Sequence, residues 1–597
     1  MFTILANQNL PRHSFPPGPV LAPTPRAILA GGETYENGSL AVAFDGAIYN
    51  ARELRDLVPG PPGTTAELIG RLYERFGLDL LLRLNGPCAL CILDKRTGRT
   101  TIATDRFGIR PVVYLGSPGM LVCAGRIRDL LAVPGCDPGG LDLGALVDYL
   151  NLSAVPTPRS AYAKVRKLAP GHFLTVWEGD LAPRPQRYYD LDYSPAGRSD
   201  AEQLADLPPA IERAVQTVVA AELGNGRTVG AFLSGGTDSS TVAGMIGKLE
   251  GGVKTFSIGF DEPGYNELDY ARLAARHFGT EHHEYTVTPD DVLSAVEALV
   301  DVFDEPFGNA SAVPTYFCAR LAGRNGVDTL LAGDGGDEIF GGNERYAAGR
   351  VFSGYHKIPA LLRKGLIEPF FAVAPTRHPF LEKGRKYLRR ANIPQPERFF
   401  SYHPVAALGI GGIFSPDFVR QLNGHDPDAW ARELWEQAPA DSELNRLLYL
   451  DMKFTITDND LRKVTGMVEK AGLKVAYPFL DHRLVEFAGR MPVGLKVRGT
   501  RLRHGFKEAL RDFLPAEIIA KQKHGFGLPI GVWIKTKPRI AQLVADTLLA
   551  RSCSIRPWLR EGFLEEIFRL HRDTGAAFYG DFIWHLLMVE LWHRKRT

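Results

Sequence analysis

One seven-residue run, Ser234-Gly235-Gly236-Thr237-Asp238-Ser239-Ser240, constrains this chain more than any other feature. It follows the apolar run VGAFL and precedes TVAGMIGKL, whose apolar residues recur with a helical period. A strand that turns straight into a helix through two glycines is one unit of an α/β fold. Glycine supplies the positive φ that so sharp a turn needs. The turn then aims backbone amides, serine hydroxyls and a helix N-terminus at one point, which makes an anion site. Asp238 is placed to hold Mg²⁺ against phosphate oxygens. No lysine follows the glycines, so the run is not a Walker loop. A lone Ser-Gly-Gly would read as an ordinary helix cap; the whole run at a strand-to-helix junction reads as a phosphate loop.

Helical periods and short strands alternate from about residue 205: TVGAFLS, VKTFSIGF and DTLLAGD each precede a helical stretch. That alternation predicts a parallel sheet with helices on both faces. Residues 350–597 read as mostly helical. The basic cluster Arg385, Lys386, Arg389 and Arg390 reads as a solvated helix face. The first 195 residues have another texture. Short apolar runs (LAVAFDGAIY, CALCILD, TTIATD, PVVYLG, MLVCAG, HFLTVW) are broken by Gly, Pro and Asp, which predicts antiparallel sheets. One helix, TTAELIGRLYERFG, interrupts them, with Thr64 to Glu67 resembling a capping box. YSPAGRS, at 193–199, reads as a linker. The expected division is therefore 1–195 and 205–597.

A chain of 597 residues exceeds one hydrophobic core, in keeping with two or more domains. Net charge is +2, so no global electrostatic grip on nucleic acid is expected. The start, MFTILANQNLPRHSF, lacks the basic and apolar regions of a signal peptide. No stretch approaches the roughly 20 apolar residues that span a bilayer. Cys88 and Cys91 form a CxxC inside an apolar strand, without a second pair or a close His, so zinc is not expected. These features predict a cytoplasmic protein without nucleic-acid or membrane partners.

The phosphate run resembles the PP-loop of ATP pyrophosphatases, which cleave ATP between the α and β phosphates, and further segments resemble class B asparagine synthetases. Lys254 to Phe260 (KTFSIGF) is similar to that family's adenine-lining strand. Asn266-Glu267, Tyr270-Ala271, His282-His283, Asp304-Glu305-Pro306-Phe307 and Pro314-Thr315 fit the blocks that follow. Gly333 to Gly342 (GDGGDEIFGG) resembles the turn that binds pyrophosphate and magnesium. Pro478 to Arg483 is PFLDHR, and Lys521 to Pro529 with Trp533 resembles the K-x-GF-x-x-P-x-x-x-W block. The resemblance implies ATP and Mg²⁺ as cofactors. It implies nucleotide binding by Ser234, Gly235, Gly236, Asp238, Ser239, Ser240, Ser257, Gly333 and Gly335. Asp238, Asp337 and Glu338 would serve the metal, and Asp334 and Lys523 the chemistry, Lys523 by stabilising developing negative charge.

The first half is similar to the family's N-terminal-nucleophile glutaminase domain, an α+β sandwich. Phe44-Asp45-Gly46-Ala47-Ile48-Tyr49-Asn50, Leu84 to Leu90, Asp105 to Pro111 and Leu168 to His172 carry that likeness. Its chemistry does not follow. An N-terminal Cys, with its own α-amine as base, is the nucleophile of that mechanism; here residue 2 is Phe2 and the first cysteine is Cys88. No R-G-P-D segment precedes Asp45. Asp45 stands in place of the oxyanion-binding Asn, and Thr65 in place of the Asp that grips the substrate amine. The second half departs too: Thr465-Gly466 replaces an Asp-Arg pair, Lys474-Val475-Ala476 replaces Glu-x-Arg, and Asn309 stands where Asp is usual.

The expected fold is thus a glutaminase-like α+β sandwich followed by a Rossmann-like ATP-pyrophosphatase domain with a helical C-terminal part. The expected activity is an AMP-forming carbon–nitrogen ligase without glutamine hydrolysis. A small-molecule carboxylate is activated as an acyl-adenylate and attacked by ammonia or an amine. Aspartate, a uronate sugar, a peptide or another natural product are the acceptors in view. Relatives with silent glutaminase domains include β-lactam synthetases, from which Asp334 at the aligned Tyr position departs, and lasso-peptide cyclases. The rival readings are a synthetase subunit or non-catalytic scaffold fed by a separate glutaminase, and an intramolecular amide synthase like the lasso-peptide cyclases; a homodimer or an external glutaminase are the protein partners in view. A tRNA-modifying enzyme with a related loop is disfavoured by the balanced charge and the isolated Cys318.

Overall fold

The computed structural model describes residues 1–6, 20–24, 27–373, 379–522, 527–574 and 577–596. Its first half contains two six-stranded antiparallel sheets. One is centred on Phe2–Ala6 between Ala27–Ala30 and Met120–Ala124. The other is centred on Cys88–Asp94 between Leu40–Gly46 and Arg99–Thr104. Alternation along the strands sorts side chains into layers. Ala41, Ala43, Ala89 and Cys91 turn into the narrow space between the sheets, with Leu29, Leu121 and Cys123 opposite them. Val42, Phe44 and Leu90 turn the other way, onto Ile69 and Leu72 of the helix Thr65–Phe76. The outer face of the first sheet, with Ile4, Ile28 and Val122, packs with Leu146 and Leu150 of the helix Leu143–Leu152. This is the expected α+β sandwich. At Thr64 only half of a capping box forms: its hydroxyl accepts from Glu67 N, while the Glu67 carboxylate accepts from Gly63 N at 2.7 Å.

Tyr188–Ser199 has neither helix nor strand. A complete capping box of Ser199 and Glu202 then opens the 25-residue helix Asp200–Gly224. Beyond it lies a five-stranded, all-parallel sheet. Its order is Glu281–Val287, Lys254–Phe260, Val229–Phe232, Thr329–Leu331, Lys474–Ala476. In chain order that is 3-2-1-4-5. The direction of winding reverses between Val229–Phe232 and Thr329–Leu331, and loops leaving two such strands diverge to open a crevice. Helices dominate from Gly336 to the C-terminus.

Buried polar pairs join the halves. Asn85 donates to Asp481 Oδ2 at 2.6 Å, and Thr157 donates through its amide and hydroxyl to Asp458 at 2.8 and 2.7 Å. Lys167 lies 3.2 Å from Glu305 and 3.4 Å from Asp458. The π-helical stretch Met452–Asp460 serves both sides of this seam. Thr457 reaches Phe107 O in the first half, while Asn459 and Asp460 face the crevice of the second.

Candidate active site

The two glycine-bearing loops leave the C-terminal ends of the adjacent strands Val229–Phe232 and Thr329–Leu331. They meet over a cavity of about 1450 Å³. Gly235 has φ +67°, and a Cβ there would lie 2.4 Å from the Tyr270 backbone, so a larger residue is excluded twice. Gly333 is needed for close approach: its Cβ would lie 2.9 Å from that of Asp238. The helix Thr237–Glu250 begins at Gly236 without a side-chain cap, which leaves its first amides available to an anion. Ser239 Oγ accepts from Ser234 N at 3.1 Å and lies 3.0 Å from Ser234 Oγ, closing the loop on itself. Ser257 ties the next strand to this one by donating to Leu233 O.

Ser234, Gly236, Asp238, Ser239 and Ser257 face the cavity from the phosphate loop and its neighbour. Gly333, Asp334 and Asp337 face it from the second loop. Gly235 and Gly335 shape those loops from behind the wall. Ser240 is fully buried, its hydroxyl without a partner among the described residues. Glu338 lies deeper, where burial and the charges of Asp451 and Asp460 push its carboxyl well above the usual range. Lys523 lies outside the described residues.

Several charged groups here were not singled out from sequence. Arg503, buried and with φ +53°, donates to both carboxylate oxygens of Asp238, to Asp337, and to Thr237 Oγ1 at 2.7 Å. Its guanidinium bridges the two carboxylates assigned to a metal. Positive φ is uncommon outside glycine, and Arg503 adopts it where the chain turns into the helix His504–Ala509. Lys463 pairs with Asp460 at 2.6 Å and, together with Asp334, faces the cavity. Burial and Asp460 raise Asp334 to about 6, against the pull of Lys463. Lys521 lies 3.1 Å from Glu267 and 3.5 Å from the carbonyls of Ser234 and Gly235. The block Lys521 to Pro529 marked this neighbourhood, with Lys523 as its named lysine. Nothing comparable marked Arg503, because an Arg after a two-residue strand carries no pattern.

These groups fit a polyphosphate and a hard divalent cation. Two carboxylates lie within the span of one guanidinium, beside an uncapped helix N-terminus, and oxygen donors of that kind suit Mg²⁺. Asp238 and Asp337 would hold the ion, which would neutralise phosphate charge. Away from the loops the wall carries both charged residues, Glu344, Arg501, Lys507 and Asp581, and neutral ones. Asn309 donates to Asn459 Oδ1 at 2.7 Å. Burial lowers His403 to about 3 and His585 to about 4, so both rings are neutral at pH 7. Thr465 is bonded to Tyr477 Oη at 2.8 Å, and Gly466 packs against Val302 and Phe303. Neither faces the cavity.

In the sandwich, Asp45 ends the strand Leu40–Gly46 with its carboxylate 3.5 Å from the Met1 amine. Arg110 and that amine hold its carboxyl below the usual value, against burial. Phe2 is buried and paired in register with Ala30 and Ala124. Burial pushes the Cys88 thiol far up. Thr65 donates through its amide and hydroxyl to Glu33, at 2.6 and 3.1 Å.

The sequence model of the asparagine synthase family matches residues 210–594, and that of the glutamine amidotransferase domain matches residues 33–189. A Mycobacterium bovis protein, described provisionally as a glutamine-hydrolyzing asparagine synthetase, is 28% identical over 92% of this chain and 84% of its own length. The glutamine-hydrolyzing asparagine synthetase 1 of Bacillus subtilis is 26% identical over 94% of this chain and 86% of its own. The amidase chry2 of Gibberella zeae is 23% identical over 83% and 78%.

Proposed function

We propose, for a chain that belongs to the asparagine synthase family, that it forms an amide by activating a carboxylate with ATP. The observation that carries this reading is the meeting of two glycine-bearing loops at the winding reversal of a parallel sheet, with Asp238 and Asp337 bridged by Arg503. A nucleotide's phosphates would lie against the amides of Gly236 to Ser239, with the adenine along the strand Lys254–Phe260. Mg²⁺, when bound, supplies charge neutralisation at the phosphates. The substrate carboxylate attacks the α-phosphate, the bond to the β-phosphate breaks, and pyrophosphate leaves. Lys463, Lys521 and Lys523 provide positive charge for that step. The nitrogen nucleophile then adds to the acyl carbon, loses a proton, and AMP departs.

The sandwich domain is not a glutaminase in this reading. Phe2 occupies a buried strand position, Cys88 is a buried neutral thiol, and Asp45 would oppose an oxyanion. Nitrogen therefore comes from free ammonia, from an amine, or from a separate glutaminase. Asn309, which lines the cavity where the family usually has Asp, favours an acceptor other than free aspartate, such as a uronate sugar or a peptide.

The test is product analysis with MgATP, aspartate, uronate sugars and small peptides, each with ammonia or with glutamine. AMP, pyrophosphate and an amide made with ammonia but not with glutamine are expected. ADP and phosphate as products, or glutamate release from glutamine, would refute the reading.

A further inference from the structure

The most exposed large apolar side chains lie outside the cavity's lining, on a helical arm. Of the eleven exposed large hydrophobic residues among those described, four fall between 361 and 370: Leu361 at 89%, Leu362 at 51%, Leu366 at 66% and Phe370 at 56%. Exposed apolar residues scattered singly need no explanation, but a cluster in ten residues does. The segment is helical throughout, as Ala360–Leu362, the π-helical Arg363–Ile367 and Glu368–Val373. Ile367 and Phe371 turn inward, onto a small separate core of Phe352, Tyr355, Leu388 and Ala391. The arm thus has a core of its own and presents a second apolar face outward.

The segment that carries that face is strongly basic. Residues 357–390 hold nine Lys and Arg against two Glu, a net +7 in a chain whose total is +2, so the remainder is −5. Lys357, Lys364, Lys383, Lys386 and Arg389 are exposed. The basic cluster that reads as a solvated helix face in the sequence lies on the helix Pro379–Ala391, which meets the arm where Arg385 donates to Phe371 O.

We propose that this arm docks on an anionic bilayer surface, with Leu361, Leu362, Leu366 and Phe370 entering the headgroup boundary and the lysines and arginines meeting lipid phosphates. Apolar side chains on one face of a helix, with basic residues beside them, are the chemistry of interfacial attachment. A second copy of the same face is disfavoured, because two basic segments repel. A side chain as exposed as Leu361 projects from the surface and lines no groove, which suits a fluid surface better than a shaped protein partner. No helix among the described residues is long and apolar enough to cross a membrane, and interfacial attachment requires none.

The experiment is co-sedimentation of the full chain with phosphatidylcholine vesicles, with and without phosphatidylserine, at low and high salt. Binding only to the serine-containing vesicles, weakened by salt, is expected. Leu361→Ser, Leu366→Ser and Phe370→Ser combined should lower partitioning by about tenfold or more. Lys383→Glu with Arg389→Glu should do the same. All five side chains are exposed, so an unchanged melting temperature would certify each variant as folded. A full chain left in the supernatant at low salt would overturn the proposal. So would an apolar variant that still partitions like the parent, which would mean charge adsorption only. Capture on immobilised polyglutamate through the same residues, without vesicle binding, would assign the face to an acidic protein and overturn it equally.

Discussion

In the second half of the molecule, the strand ends that reach the cavity bring Asp238, Asp334 and Asp337 together with Arg503 and Lys463. In the first half, the strand end that carries Asp45 meets the Met1 amine, with Arg110 supporting its charge. Both halves are well packed, and both fit their domain families. The difference lies in what their polar groups have left to do. Around the cavity, carboxylates and cations face a large open volume and can exchange partners with a ligand. In the sandwich, Thr65 is bound to Glu33, Asp45 to an amine, and the Cys88 thiol is buried. Burial of alternating strand residues maintains a fold whatever its polar groups do.

The largest expected effect is at Arg503. Arg503→Met leaves Asp238 and Asp337 close together without their bridging cation, which should cost about 3–5 kcal/mol in denaturant unfolding. Added Mg²⁺ should then raise the melting temperature of this variant more than that of the parent. Next, Asp238→Asn should weaken Mg²⁺-dependent ATP binding by about 10- to 100-fold in calorimetry. Asp45→Asn should leave that binding unchanged, and a loss there would erase the contrast between the halves. Third, Asp481→Ala removes the acceptor of Asn85 across the seam and of Arg483 N at a helix start. About 1–3 kcal/mol of stability should go with it.

A smaller effect concerns acid. Asp45 has a lowered pKa in the folded chain, so its contribution is complete above the ordinary Asp value of 3.8 and disappears as pH falls through the folded value. Asp45→Asn should therefore flatten the stability profile below about pH 4. An unaltered acid limb would detach Asp45 from the Met1 amine and Arg110. Last comes an expected absence of effect. Phe2→Cys should release no glutamate from glutamine, because Asp45 and Thr65 would still lack the groups the chemistry needs. Measurable release would place this half much closer to a working glutaminase.

The fold was largely legible in the sequence because period-2 and helical patterns mark burial. The change of texture after Ser199 coincides with the capping box that opens the helix Asp200–Gly224. The loops at Ser234 and Gly333 were legible because glycine is tied to turn geometry. The groups that balance their charge were not. Arg503 reaches the site from 265 residues beyond Asp238, Asp460 ends a π-helical stretch, and Lys463 lies in the α-helix that follows it. No local pattern encodes either route. Where the exchanged Thr465-Gly466 pair lies was not legible either. In the structure both residues pack away from the cavity, whereas Asn309, also exchanged, lines it.

The central claim is that the cavity of the second half transfers an adenylyl group to a carboxylate. Exchange of radiolabelled pyrophosphate into ATP, with the full chain, Mg²⁺ and a panel of aspartate, uronate sugars and peptides, tests it most directly. Exchange that depends on one carboxylate and disappears in Asp238→Ala is the predicted result. ATP binding without exchange for any acceptor, or exchange that survives in Asp238→Ala, would contradict it.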